Sequence, residues 1–189
     1  MDKALEVMKS IEKIAEIRFI PSIGPIKGKV LTDIIKKYNP ENILEIGALY
    51  GYSAILMARG QKDAEITTIE IDKNNFEITK ENVKKAGYSD RIKVIYGNAI
   101  DALPKHNKKI DLLFLDANKE QYFAYLKLSE KNLKKGSVVV ADNVKIFEKN
   151  MNDFLDYVRK SGYYKSKTIE VPLEFHEDVY DAMEVSEKL

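Results

Sequence analysis

At 189 residues, 44% of them hydrophobic and 32% charged, the chain has the size and composition of one soluble globular domain with a sizeable core. Its 31 basic and 30 acidic side chains leave a formal charge of +1, which disfavours a nucleic-acid partner held by its phosphates, and the absence of Cys together with only two His, His106 and His176, disfavours a zinc centre. The Lys-rich amino terminus lacks the apolar core of a signal peptide and no run approaches a membrane span, so a cytoplasmic protein is expected.

Residues 1–17 carry Ala4, Leu5, Met8, Ile11 and Ala15 at helical spacing with charges between them, an amphipathic helix expected to lie over the fold. Pro21, Gly24, Pro25 and Gly28 punctuate a loop before a second helix over about 26–38, which Asn39-Pro40 ends. Residues 1–40 thus read as cover helices within a single domain, 1–189. The apolar run from Ile43 stops at Gly47, and Gly51 to Ser53 open a helix to about Arg59. A second strand runs from Glu65 to Glu70, and a helix over 73–86 is closed by Gly87. The third strand, 92–96, enters Gly97-Asn98-Ala99 and a short helix to Pro104. The fourth, 110–115, stops at Asp116, and a helix over 120–133 follows with Gly136 behind it. The fifth, 137–141, stops at Asp142-Asn143; a helix over 150–160 and strands over 163–171 and 179–185 complete the chain.

Strands alternating with helices predict an α/β fold, a mostly parallel Rossmann-like sheet with right-handed crossovers and helices on both faces. The last two strands have no helix between them, so the last is expected to be antiparallel or to sit at an edge.

The loop Gly47-x-x-x-Gly51 lacks the middle glycine that lets backbone approach a pyrophosphate. With Glu70 placed to grip ribose hydroxyls, the pattern predicts an adenosine pocket without a phosphate cradle, which suits S-adenosylmethionine better than a nicotinamide cofactor. In open parallel sheets ligands bind beyond the carboxyl ends of the strands. If the fourth and fifth strands are neighbours, Asp116, Asp142 and Asn143 converge, and three hard oxygen ligands suit magnesium, calcium or manganese. Lys119, three residues past Asp116, reaches back beside that ion. Blander roles compete: Asp116 as a helix cap, Asp142-Asn143 as turn residues, Glu70 as a surface carboxylate, and Tyr50, Tyr52 and Phe123 as packing. His106 reads as exposed and idle, and His176 is left open.

From Phe19 to Val185 the chain resembles the catechol O-methyltransferase family of metal-dependent, S-adenosylmethionine-using enzymes, with the caffeoyl-CoA type as a more distant relative. The resemblance lies in Ser22-Ile-Gly-Pro-Ile-Lys-Gly28, Leu44-Glu-Ile-Gly-Ala-Leu-Tyr-Gly-Tyr-Ser-Ala54, Glu70-Ile-Asp72, Gly97-Asn-Ala99, Phe114-Leu-Asp-Ala-Asn-Lys119, Ala141-Asp-Asn-Val144 and Leu173-Glu-Phe175. It implies a seven-stranded class I methyltransferase sheet with a reversed last strand. It implies Asp116, Asp142 and Asn143 on the metal, Lys119 as general base, and Glu174 orienting the substrate's second hydroxyl. For the cofactor it implies Ile23, Glu45, Gly47 and Ser53, with Glu70 on the ribose, Asn98 or Ala99 beside the adenine, and Asp116 near the methionine part. The small, polar Ala117-Asn118, and Asp181-Ala182 in place of Asp-Gly, depart from the pattern. Phe19, Phe147 and Phe175 are the expected apolar wall.

The expected reaction is transfer of a methyl group to a hydroxyl of a small vicinal diol, with Lys119 accepting the proton once burial and the ion ease its own deprotonation. Competing readings are a tRNA methyltransferase acting on a hydroxylated uridine and a nucleotide-binding dehydrogenase or module. Dimers occur among relatives, but nothing in the chain requires one.

Overall fold

Short runs of Ile, Leu and Val with hardly a charge between them make strands that must be covered on both faces. The computed structural model describes residues 2–18, 20–173 and 176–189. Its strands are β1 (Asn42–Ile46), β2 (Glu65–Glu70), β3 (Ile92–Tyr96), β4 (Ile110–Leu115), β5 (Leu133–Ala141), β6 (Tyr164–Leu173) and β7 (His176–Lys188). They form one 7-stranded sheet in the order β3-β2-β1-β4-β5-β7-β6. The pairings among β1 to β5 are parallel, and β7 runs antiparallel to both β5 and β6. The last strand is therefore reversed as expected, but it lies inside the sheet, and β6 forms the edge.

One face is covered by α1 (Lys3–Ile17), α2 (Gly24–Tyr38), α3 (Tyr52–Gly60) and α4 (Lys73–Ala86), which pack on Ile43, Ile66, Phe114 and Val140. The other is covered by α5 (Ala99–Ala102), α6 (Tyr122–Ser129) and α7 (Asn152–Lys160), packed on Leu44, Ile69, Leu115 and Val139. Alternate residues of each strand thus serve opposite cores, as strand geometry requires. Asp72 caps α4 by accepting the Asn75 N–H at 2.8 Å, and Gly87 ends it with φ +81°. Among the described residues no helix is long and apolar enough to cross a membrane.

Two elements differ from expectation. The helix expected over 120–133 is a 3₁₀ turn over 119–121, then α6, then a second 3₁₀ turn over 130–132; Leu133 already belongs to β5. Gly136, with φ +84°, is no helix cap: it sits where the β4–β5 register jumps from Ile110↔Leu133 to Leu112↔Val138. Ser137 closes that bulge, its hydroxyl donating to the Ile110 carbonyl at 2.6 Å and accepting the Lys134 N–H at 3.0 Å. The terminal hairpin is also longer than expected, with strand through Pro172. A proline costs no ladder bond on an edge strand, and β6 is one.

The strand order reverses between β1 and β4, which makes the carboxyl ends of these two strands the switch point where such sheets bind ligands. Main-chain bonds bring the strand ends into a row. The N–H of Gly47 donates to Ile69, that of Asp116 to Ile46 and that of Asp142 to Leu115, each at 3.0 Å.

Candidate functional site

Gly47 turns the chain out of β1 with φ +98°, and a Cβ there would collide with the main-chain carbonyl of Asp116. The loop beyond it is held by Glu70. One carboxylate oxygen accepts the N–H groups of Ala48 at 3.1 Å and Leu49 at 2.7 Å, and the other accepts that of Asp72 at 2.8 Å. Glu70 is buried, so it is not an ordinary surface carboxylate. Gly51, at φ +82°, starts α3 against the side chain of Thr79.

A cavity of about 1020 Å³ opens beyond these strand ends. Of the residues expected at the cofactor, Ile23, Gly47, Ser53, Glu70, Asn98 and Ala99 line it. Glu45 does not. It is wholly buried behind the wall and reaches the cavity only through Ser53, whose hydroxyl donates to its Oε1. Burial pushes the Glu45 carboxyl up to about 7, eased by the hydroxyls of Ser53 and Thr68 and reinforced by the charges of Asp116 and Glu70. Thr68 stands opposite Glu45 in the β1–β2 register, yet neither its Oγ1 nor Glu45 Oε2 makes a full hydrogen bond. Asn98 caps α5 by accepting the Ile100 N–H at 2.9 Å. Tyr50 and Tyr52 pack as expected, Tyr52 within the core on the α1–α4 face of the sheet and Tyr50 against it, and both also line the cavity; Phe123 packs 5.4 Å from the Tyr157 ring.

Asp116, Lys119, Asp142 and Asn143 all line the same cavity. The Lys119 ammonium lies 2.8 Å from Asp116 Oδ1 and donates to the Tyr122 hydroxyl at 2.9 Å. Tyr122 is fully buried and its hydroxyl donates to the Leu115 carbonyl at 2.9 Å; burial and then the charges of Asp116 and Asp142 push its phenol well above the usual range. Asp116 is not a helix cap. Asn118 fills that role, accepting the Glu120 N–H at 3.2 Å.

Asp142 is 2% exposed. Burial and the neighbouring Asp116 charge raise its carboxyl to about 6, against the pull of the Lys27 ammonium 2.6 Å away. Asn143 does sit in a turn, at φ +62°, and its Nδ2 donates to Asp181 at 2.9 Å. Lys27 also lies 2.6 Å from Asp181. Neither Lys27 nor Asp181 was assigned a role from the sequence. A signal existed, since Lys27, Leu31, Ile34 and Ile35 share one face of α2, and a lysine on an apolar helical stripe is out of place.

Among the described residues no three His, Cys, Asp or Glu side chains form a metal cluster. A cation here draws instead on two carboxylates, the Asn143 amide and water or ligand oxygens, a donor set that suits a hard divalent ion. Burial and then the crowding of Asp116 raise the Asp142 pKa, and such an ion relieves the crowding, so the residues fit it. Glu174, Phe19 and Phe175 lie outside the described residues, and so does the side chain of His176. Phe147 stands at the cavity wall with Ile146 and Leu173. His106 is half-buried beside the amino-terminal ends of β1, β2 and β4 rather than exposed, and burial lowers its pKa.

The chain matches the O-methyltransferase family over residues 4–164. It is 34% identical over 178 residues to a catechol O-methyltransferase of Mus musculus, covering 90% of this chain and 66% of that one. To a catechol O-methyltransferase of Sus scrofa it is 35% identical over 165 residues, covering 83% of this chain and 88% of that one. The chain thus spans about two thirds of the mouse protein and most of the pig protein. The crystal structure of an O-methyltransferase from Bacillus cereus in complex with SAH superposes with a TM-score of 0.86 at 25% identity, covering 100% of this chain and 92% of that one.

Proposed function

From the premise that this chain belongs to the O-methyltransferase family, we propose that it is an S-adenosylmethionine-dependent enzyme that methylates one hydroxyl of a small vicinal diol, a catechol-like phenol, beside a divalent cation. One observation carries this. The Gly47 loop with Glu70, and the group Asp116, Lys119, Asp142 and Asn143, open into one cavity of about 1020 Å³, at the upper end of the roughly 300–1,000 Å³ of small-molecule sites. There is room for two ligands side by side. The relatives named catechol O-methyltransferase support the substrate class.

Glu70 spends three acceptor positions on main-chain N–H groups, leaving about one of a carboxylate's four for a ribose hydroxyl. Ser53 faces the cavity with its hydroxyl oriented by Glu45. Asn98 and Ala99 flank the adenine, and Ile23 closes over the cofactor from the start of α2. Asp116, Asp142 and Asn143 hold the cation, magnesium in the first instance. When bound, the cation acidifies the diol hydroxyl it polarises; S-adenosylmethionine supplies the methyl group as an electrophilic sulfonium. Lys119, entering the reaction as the neutral amine, would take the hydroxyl proton on Nζ, and Asp116 and Tyr122, at 2.8 and 2.9 Å, would then steady the ammonium so formed. Glu174 turns the second hydroxyl. Holding nucleophile and methyl donor in register supplies much of the rate.

The test is methyl transfer from radiolabelled S-adenosylmethionine to catechol, with magnesium and with EDTA, alongside calorimetric titration with S-adenosylhomocysteine. Cation-stimulated transfer is expected. Undiminished transfer in EDTA would remove the cation from the reaction, and failure to bind S-adenosylhomocysteine would remove the enzyme class.

A further inference from the structure

Lys27 and Asp181 come from segments 154 residues apart and meet under the strand ends. Lys27 is 4% exposed, and its ammonium bridges Asp142 Oδ1 and Asp181 Oδ2 at 2.6 Å each. Asp181 is fully buried and carries four donors. Lys27 Nζ and Asn143 Nδ2 bind its Oδ2, and the N–H groups of Lys145 and Ile146 bind Oδ1 at 3.3 and 3.2 Å. That fills the acceptor capacity of a carboxylate.

Two orientations follow. With its Nδ2 committed to Asp181, Asn143 is left with Oδ1 as its free end, on a residue that lines the cavity. Asp142 gives Oδ1 to Lys27 and to the Asn143 N–H at 2.8 Å, so Oδ2 is the oxygen without a donor among the described residues. Both free atoms are hard oxygen ligands. Charge alone argues the other way, since an ammonium beside a cation site repels the cation. A lysine retained there acts through geometry.

We infer that Lys27 and Asp181 are positioning residues of the cation centre, fixing the Asp142 carboxylate and the Asn143 amide with their free oxygens toward the ion. The inference rests on the divalent-cation reading of the site. Through Asp181, the loop after β5 and the start of α2 are tied to the same point, so cation affinity depends on a contact between two residues that are not themselves ligands of the ion.

The experiment follows Mn2+ binding by loss of the free-ion electron paramagnetic resonance signal, with S-adenosylhomocysteine affinity measured on the same samples. Wild-type protein is expected to bind Mn2+. Lys27→Met is expected to weaken Mn2+ binding about tenfold or more, the usual effect of losing a group that orients a ligand, with S-adenosylhomocysteine affinity unchanged. Removing one partner of a buried ion pair strands the other. Should Lys27→Met not fold, Lys27→Met/Asp181→Asn removes both charges and carries the same expectation; should that fail too, Lys27→Arg keeps the charge, displaces Asp142 and is again expected to weaken Mn2+. Equal or tighter Mn2+ binding in a folded variant shows that Lys27 acts only as a charge, which overturns the inference. Absence of Mn2+ binding in the wild-type protein overturns the cation reading itself, so the two failures are told apart.

Discussion

Gly47 and the main-chain carbonyl of Asp116 touch across the boundary between β1 and β4 with no space for a methyl group between them. The contact joins the glycine loop to the acidic strand end at the switch point of the sheet, so one substitution tests both halves of the site.

Gly47→Ala places a Cβ against that carbonyl at φ +98°. Backbone strain of roughly 1–3 kcal/mol and overpacking of similar size are expected to lower Tm by roughly 5–20 °C and to weaken S-adenosylhomocysteine binding. Thermal unfolding and calorimetry read the two effects. A variant with wild-type Tm and affinity would show that β1 and β4 do not approach this closely.

Asp142→Asn keeps an acceptor for Lys27 but removes the charge that crowds Asp116. Magnesium-stimulated turnover is expected to fall roughly 10²-fold or more, with cofactor affinity largely kept. Unchanged stimulation would take Asp142 away from the ion.

Lys119→Ala separates base from scaffold. A phenol ionises unaided near pH 10, so the loss in kcat, roughly 10²–10⁴-fold at neutral pH, is expected to shrink as pH rises toward that value. An equal loss at every pH would assign Lys119 to binding. Tyr122→Phe removes the hydroxyl that accepts from Lys119 and donates to the Leu115 carbonyl. The Leu115 carbonyl keeps the Asp142 N–H, so the loss is that of one hydrogen bond, about 0.5–1.5 kcal/mol of stability, and kcat is expected to fall without a change in cofactor affinity.

Much of this was legible in the chain because it is local. β2, β3 and β4 fall on the residues that the apolar runs indicated, and Asp116, Asp142 and Asn143 follow directly from where such runs stop. What stayed hidden depends on contacts between distant segments. The Lys27–Asp181 pair spans 154 residues, so a lysine out of place on the apolar stripe of α2 points to no partner until the fold is known. The bulge at Gly136 looks like a helix end because a glycine after an apolar stretch serves either purpose; the pairing with β4 decides it. That Glu45 lies behind the wall rather than in it follows from strand alternation, which sends it to the face covered by α3, where Ser53 waits.

Glu45 is kept at a cost that pH exposes. Its carboxyl titrates near pH 4.5 when solvated and at about 7 in the fold. Below pH 4.5 it is neutral in both states and adds no penalty. As pH rises from there toward 7 the unfolded chain loses the proton while the folded one retains it, so stability falls, and above 7 the deficit levels off at on the order of 3 kcal/mol. Asp142 titrates near 6 and bends the wild-type curve in the same direction, but a difference against Glu45→Gln isolates Glu45. The amide has no proton to lose, and its NH₂ faces Thr68, whose Oγ1 makes no full hydrogen bond. Glu45→Gln is therefore expected to match the wild type in urea unfolding near pH 4.5 and to exceed it increasingly up to pH 7, while S-adenosylhomocysteine affinity drops because Ser53 loses its carboxylate. A stability difference that stays flat with pH would mean that Glu45 ionises normally in the fold, and a gain in stability without loss of affinity would mean that Ser53 needs no partner.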